Sequence, residues 1–119
     1  MATRTRTATK PKLPRGVKKW LVLDSLHGPV EVYLVPNLID DENKPMYGLF
    51  YPDDMLILIE KNMSANKRKS TLLHEMMHLA FDCAESKHVA VGAFEEDFIS
   101  CIEPLLFDVL RRNNFLKMP

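Results

Sequence analysis

The sequence has few cysteines and no long apolar run, and these two absences exclude several classes of protein. Its only two cysteines among 119 residues, Cys83 and Cys101, form no C-x-x-C pair. A disulfide between them is one alternative, but free thiols in a reducing compartment are favoured. No apolar run is long enough to span a bilayer, and the first twenty residues lack the hydrophobic stretch of a secretory signal. We therefore expect a cytoplasmic protein that has no membrane partner.

Acidic residues are absent from the first nineteen positions, although the whole chain has equal numbers of acidic and basic residues. Seven basic residues lie in that segment, so nine basic and sixteen acidic ones remain, a net charge of about −7 for the rest. The segment is rich in Thr and Pro, which is typical of disorder. We expect a disordered basic tail over residues 1–19 and a single domain over residues 20–119. The tail is either a solubilising extension, which is favoured, or a non-specific contact for nucleic acid.

The remaining sequence has no repeats, and its patterns predict a small sheet followed by two helices. Alternating apolar residues predict a strand over residues 30–35, and two further strands are predicted over 46–51 and 55–60. The 55–60 segment is almost wholly apolar, so we expect it to be covered on both faces. Segment 20–23 is either helical or extended. The predicted fold class is α+β, with a mostly antiparallel sheet of about three strands packed on the helices.

The first helix, predicted over residues 65–84 and capped by Ser64, carries an H-E-x-x-H sequence. His74 and His78 are four residues apart, so their imidazoles project from the same face and can hold one metal ion. Glu75 lies between them, close enough to act as general base on a water at that metal. Two neutral imidazoles with a carboxylate suit zinc, which needs one open position for the water. The pattern predicts one Zn²⁺ per chain.

A third ligand is expected from the last helix, predicted over residues 93–112. At about 100° per residue, Glu95 falls within the edge of the apolar face of this helix and Glu96 falls outside it. A carboxylate directed at the interior costs several kcal/mol unless it is paired or bound to metal, so Glu95 is the first choice. Glu96 is the alternative, because a small change in helix phase would exchange the two. His88, in the connection between the helices, is another alternative.

Further residues are expected to support the metal and the reaction. Asp82 follows the second histidine by one turn and is a candidate to orient a ligand imidazole. Tyr47 and Tyr51 are candidate donors to the oxyanion that forms during amide hydrolysis. The longer pattern H-E-x-x-H-x-x-G-x-x-H is excluded, because Phe81 and Ala84 occupy its glycine and third histidine positions.

Strands followed by a helix with His74-Glu75-x-x-His78, and then a helix opening with Glu95-Glu96, resemble the small gluzincin-type metallopeptidases. In particular, the arrangement looks like the ImmA/IrrE-like group in its compact bacteriophage versions. The resembling region, roughly residues 48–114, includes segments 72–80, 95–99, 104–106 and 110–113. It implies zinc ligands His74, His78 and Glu95, a general base at Glu75, and action in the host cytoplasm for a phage protein. Larger members have a Glu-Ala-Asn signature that this chain lacks, so the choice of glutamate stays open.

Together these residues predict a zinc metalloendopeptidase that hydrolyses a peptide bond in a protein substrate with metal-activated water. Few residues remain to wall a deep cleft, so an exposed protein segment is the expected substrate. The 55–60 strand is the expected edge to which that segment adds. One alternative is a non-catalytic binding module stabilised by the metal. The other is a SprT-like protease that the basic tail tethers to nucleic acid, in which His88 is the favoured ligand.

Overall fold

The computed structural model describes residues 2–4, 13–85, 95–113 and 117. The elements in these residues are β1 (Ala2–Arg4), β2 (Lys18–Ser25), β3 (Gly28–Val35), β4 (Met46–Tyr51), β5 (Leu56–Glu60), α1 (Ala65–Glu85) and α2 (Glu95–Arg112). A short 3-10 turn, Pro52–Asp54, joins β4 to β5. A small sheet with two helices confirms the predicted α+β class. Neither of the two described helices is long and apolar enough to cross a membrane.

The strands form one mixed sheet in the order β1-β4-β5-β3-β2. The pairs β2–β3 and β4–β5 run antiparallel, whereas β3–β5 and β1–β4 run parallel. The three strands predicted from sequence are β3, β4 and β5, which form the middle of the sheet. Two edge strands add to them, because segment 20–23 is extended within β2 and because the chain start pairs with β4. The sheet is therefore larger and more mixed than the sequence predicts.

The central strand β5 is buried along its whole length, as its apolar sequence predicts. Ile57 and Ile59 pack with Leu72 of α1 in one core cluster. Leu56 and Leu58 point the other way, into a second cluster whose described members come from strands and connections. The helix α1 thus lies on one face of the sheet. Burial on both faces fixes the position of β5, and α1 begins after a connection of only four residues.

Part of the segment predicted to be a disordered tail belongs to the folded structure. Ala2–Arg4 forms β1, and β2 begins at Lys18. Leu13 and Val17 pack against the second core cluster. The structure therefore differs from the prediction at these residues, because backbone pairing and apolar contacts offset a composition typical of disorder. Residues 5–12 lie outside the described residues.

The two helices pack against each other beside the sheet. The prediction that Ser64 caps α1 is confirmed, because Lys67 N donates a hydrogen bond to Ser64 Oγ at 3.1 Å. Ile99 of α2 is fully buried, and the ring of Phe98 meets Phe81 of α1 edge-on with centroids 5.5 Å apart. The N-terminal turn of α2 is thereby placed over the middle of α1, where the two histidines lie.

Candidate metal centre

The two histidines lie side by side on the face of α1 that meets α2. Their four-residue spacing brings the ring centroids to 4.9 Å. The His78 side chain is fully buried, whereas His74 keeps 12% of its side-chain surface exposed. The pair is therefore enclosed by protein on the His78 side and open to solvent on the His74 side.

Glu96 of α2 bridges the two imidazoles. Its Oε1 lies 3.2 Å from His74 Nε2, and its Oε2 lies 2.9 Å from His78 Nε2. One ligand atom from each of the three residues lies within 4.8 Å of the others, so the group can hold a metal ion. Ligands bonded to a tetrahedral zinc at about 2.0–2.1 Å are about 3.3 Å apart, which is close to these separations. His74, His78 and Glu96 form the candidate metal centre.

Glu95, the first choice from the sequence, contacts the other nitrogen of His78. Its Oε2 lies 2.7 Å from His78 Nδ1, and its side chain is only 4% exposed. An imidazole that donates its Nδ1 proton to a carboxylate keeps its Nε2 lone pair available for a metal. The sequence correctly predicts an inward-facing Glu95, but the carboxylate within reach of both Nε2 atoms belongs to Glu96, the alternative from the sequence. Helix phase alone could not show which of the two glutamates lies at Nε2, because the buried His78 imidazole has a carboxylate at each of its nitrogens.

Glu75 is completely buried between α1 and the sheet. Neither of its carboxylate oxygens has a hydrogen-bond partner among the described residues. Burial, together with the nearby charge of Glu96, raises the pKa of Glu75 well above its ordinary value. A buried carboxylate without a partner is costly unless a water or ligand satisfies it. Glu75, the residue after His74, thus has two acceptor oxygens available for such a group.

Gly48 of β4 provides the space that Glu75 occupies. A Cβ at this position would lie 3.0 Å from Glu75 Oε1 and 3.0 Å from Thr71 Cγ2. The missing side chain therefore allows the strand to approach α1 closely enough to cover Glu75. Sequence reasoning missed this role for Gly48, although a glycine inside an apolar strand pattern is a signal of close backbone approach.

A cavity of about 540 Å³ opens beside the metal centre. His74 and Glu96 line it, together with side chains of α1, α2 and β4. At its wall, the Ser70 hydroxyl of α1 donates a hydrogen bond to the buried carboxylate of Glu103 on α2. This contact between the helices was also missed from the sequence. The cavity connects the candidate metal centre to solvent.

Only one of the two tyrosines predicted as oxyanion donors lies near the metal centre. Tyr47 lines the cavity, and Lys67 Nζ lies 4.3 Å from the centroid of its ring. Tyr51 is buried in the second core cluster, on the face of the sheet away from α1. Tyr51 therefore lies away from the metal centre, because it packs with Leu49 in the second cluster, whereas Phe50 between them packs in the cluster that contains Leu72 of α1.

Asp82 and His88 are the remaining residues that the sequence predicts for the site. The orienting contact expected from Asp82 is made by Glu95, since Glu95 and Glu96 contact the two ring nitrogens of His78. Asp82 Oδ2 lies 3.5 Å from Nδ1 of His27, in the turn between β2 and β3. His88, the other alternative ligand, lies outside the described residues.

The strand predicted to accept a peptide is not an edge strand. β5 pairs with β4 on one side and with β3 on the other, so it has no free edge. That prediction is wrong because the continuous apolar sequence of β5 reflects burial on both faces, which is typical of a central strand. The strand of the sheet that runs closest to Glu75 is instead β4, through Gly48.

Comparisons of the chain with protein-family models, with curated proteins and with solved structures find no match. The resemblance to the small gluzincin-type metallopeptidases therefore stays a prediction from the motif. An assignment of function depends on the geometry just described: three convergent ligand groups, an orienting carboxylate on His78, and a buried glutamate beside them.

Proposed function

We propose that this protein is a zinc-dependent metallopeptidase that hydrolyses a peptide bond in a protein substrate. One observation carries the proposal: ligand atoms of His74, His78 and Glu96 lie within 4.8 Å of one another. Two imidazoles and one glutamate form the donor set of known catalytic zinc sites that keep a fourth position open. In that position, zinc would supply Lewis-acid polarisation of a water or of the scissile carbonyl.

The surroundings of the ligands support a catalytic site more than a closed structural one. The contact of Glu95 with His78 Nδ1 favours the tautomer that is protonated at Nδ1, which leaves the Nε2 lone pair directed at the ion position. Glu96 is 47% exposed and His74 is partly exposed, which leaves one side of the centre accessible. The adjoining cavity opens on that side and gives a substrate segment access to the ligands.

Glu75 is assigned the role of general base. It follows a ligand directly in sequence, and its two oxygens have no partner among the described residues. It accepts the proton of the attacking water and returns it to the leaving amine. Burial raises the pKa of Glu75 well above its ordinary value, which makes its ionised carboxylate a stronger base. Tyr47 is the candidate donor to the oxyanion, since it lines the cavity beside His74.

The proposal is tested by substituting Glu75 with glutamine and measuring zinc content and proteolysis separately. Glu75→Gln keeps the three ligand groups, so we expect it to retain one zinc per chain. General acid–base catalysis contributes about 10²- to 10⁴-fold, and hydrolysis of an unfolded reporter protein should fall by that factor. The matched control is Glu42→Gln, an exposed glutamate in the loop between β3 and β4, which should change neither quantity.

Two outcomes would contradict the proposal at different levels. A wild-type protein that binds no zinc would contradict the assignment of the metal centre. A Glu75→Gln variant with full activity would contradict the assignment of Glu75 as general base. A wild-type protein that holds one zinc per chain but cleaves no unfolded protein would favour the non-catalytic, metal-stabilised binding module instead.

A further inference from the structure

The strand β1 occupies the edge of the sheet beside the metal centre. It pairs in parallel with β4, with Thr3 opposite Gly48 and Arg4 opposite Leu49. Gly48 is the position at which a side chain would touch Glu75 Oε1. The backbone of the first residues of the chain therefore runs directly alongside the part of β4 that covers the proposed general base.

This edge strand is short and irregular. It has three residues, and its register with β4 shifts between Ala2 and Thr3. A strand of this length makes few backbone hydrogen bonds, so it holds the edge weakly. Without it, β4 would present a row of unpaired N–H and C=O groups, which is the surface that binds an extended peptide by strand addition.

Charge favours a basic segment at this edge. The first nineteen residues contain seven basic residues and no acidic one, whereas the rest of the chain has a net charge of about −7. Opposite net charge steers a basic segment towards the acidic body and raises its local concentration there. Of these basic residues, Arg4 belongs to β1 itself.

We propose that the outer edge of β4 binds an extended basic segment of a protein substrate, and that β1 is the chain's own occupant, which the substrate displaces. This inference rests on the proposed function, since it specifies the substrate class of that centre. The direction of β1 assigns the incoming strand a course parallel to β4. A segment on the same chain competes at an effective concentration of the order of mM, so an intact β1 lowers the apparent affinity for a free peptide.

The experiment uses the full-length protein with Ala2→Pro and Thr3→Pro together. Proline removes two of the three backbone donors of β1 and leaves all seven basic side chains of the segment in place. The probe is a fluorescently labelled synthetic peptide of residues 1–12, and binding is followed by anisotropy in the presence of EDTA. We expect the peptide to bind the double variant at least about tenfold more tightly than it binds the wild type.

A control peptide carries the same two proline substitutions and therefore has the same charge. It should not bind the double variant, because it cannot pair with β4. Equal binding of the unsubstituted peptide to wild type and variant would overturn the proposal. Equal binding of both peptides to the variant would overturn it as well, because attraction would then come from charge alone.

A second measurement needs no variant and remains valid if the double substitution impairs folding. Amide hydrogen exchange at residues 2–4 of the wild type should become faster when the unsubstituted peptide is added to saturation. Unchanged exchange at saturation would show that the peptide binds elsewhere and would overturn the displacement. Peptide binding in EDTA is independent of zinc. A failure of peptide binding thus leaves the Glu75→Gln test intact, and loss of the zinc site leaves peptide binding measurable.

Discussion

The carboxylates of Glu95 and Glu96 contact different nitrogens of the His78 imidazole. Their separate contributions can be measured as the zinc affinity of variants at each position. In the proposed zinc site, loss of Glu96 removes a ligand, whereas loss of Glu95 removes only the group that orients His78. Groups that orient a ligand typically contribute 10- to 100-fold in metal affinity. We expect Glu95→Ala to lower zinc affinity within about that range, and Glu96→Ala to lower it further.

The comparison is made by competition with a chelator, and Glu95→Gln serves as the matched variant. Its amide oxygen still accepts a hydrogen bond from His78 Nδ1, so it should recover part of the affinity lost in Glu95→Ala. A larger loss for Glu95→Ala than for Glu96→Ala would restore Glu95 as the ligand.

Gly48 is the second residue whose role depends on a single contact. In Gly48→Ala, the new Cβ would meet Glu75 Oε1 and Thr71 Cγ2 at 3.0 Å, so these buried side chains must move by a few tenths of an ångström. Overpacking of this kind costs about 1–3 kcal/mol, and we expect that loss in the free energy of unfolding measured with urea. Adding Thr71→Ser removes the Cγ2 contact and should restore part of the stability. A fully stable Gly48→Ala variant would contradict the close packing of β4 on α1.

At the scale of elements, the packing of α2 on α1 includes a hydrogen bond between Ser70 and the buried Glu103. Ser70→Ala leaves that carboxylate without the hydroxyl, which costs about 1–3 kcal/mol for a buried polar group. Because Glu96 belongs to the same helix as Glu103, zinc affinity should fall along with stability. The control is Ser100→Ala on the exposed side of α2, for which urea unfolding and zinc affinity should stay at wild-type values. Equal effects of the two substitutions would exclude a specific role for Ser70.

Elements with a regular pattern could be predicted from the sequence, whereas their arrangement could not. α1 shows helical periodicity and a capping serine, and β5 shows a continuous apolar run, so both are encoded locally. The position of β5 between β3 and β4 depends on pairing between distant segments, which no local pattern carries. β1 has three residues and no alternation, and only its partner β4 gives it strand structure.

The site residues also divide into those that local sequence predicts and those that depend on the packing of two elements. His74, Glu75 and His78 follow from spacing on one helix, because that geometry is fixed by the helix itself. The choice between Glu95 and Glu96 depends on how α2 lies against α1, to within a fraction of a helical turn. Sequence periodicity gives the buried side of α2 but not the distance of each carboxylate from an imidazole on another element.

At the scale of the whole molecule, a bound ion would join α1 to α2 and so contribute to global stability. Zinc at about 100 times its dissociation constant adds about 2.7 kcal/mol to the free energy of unfolding. For a chain of this length, we expect the melting temperature to rise by about 10 °C. EDTA should reverse the shift in a thermal-unfolding measurement.

The histidines provide matched controls for this effect. His74→Ala should abolish the zinc-dependent rise, whereas His27→Ala, in the turn between β2 and β3, should keep it. A rise that persists in His74→Ala would place the stabilising ion elsewhere in the molecule.

Four residues separate the fully buried strand β5 from the helix that carries both imidazoles. This tight junction anchors two of the proposed ligands to the middle of the sheet, whereas the third belongs to α2, whose main packing partner among the described elements is α1. A cation of larger radius can then be accommodated by a slight sliding of α2, with no distortion of the sheet. We expect Co²⁺, Zn²⁺ and Cd²⁺ to rank by their preference for nitrogen and oxygen donors and not by size. A steep dependence of affinity on ionic radius in a competition titration would instead indicate that α2 is locked in place.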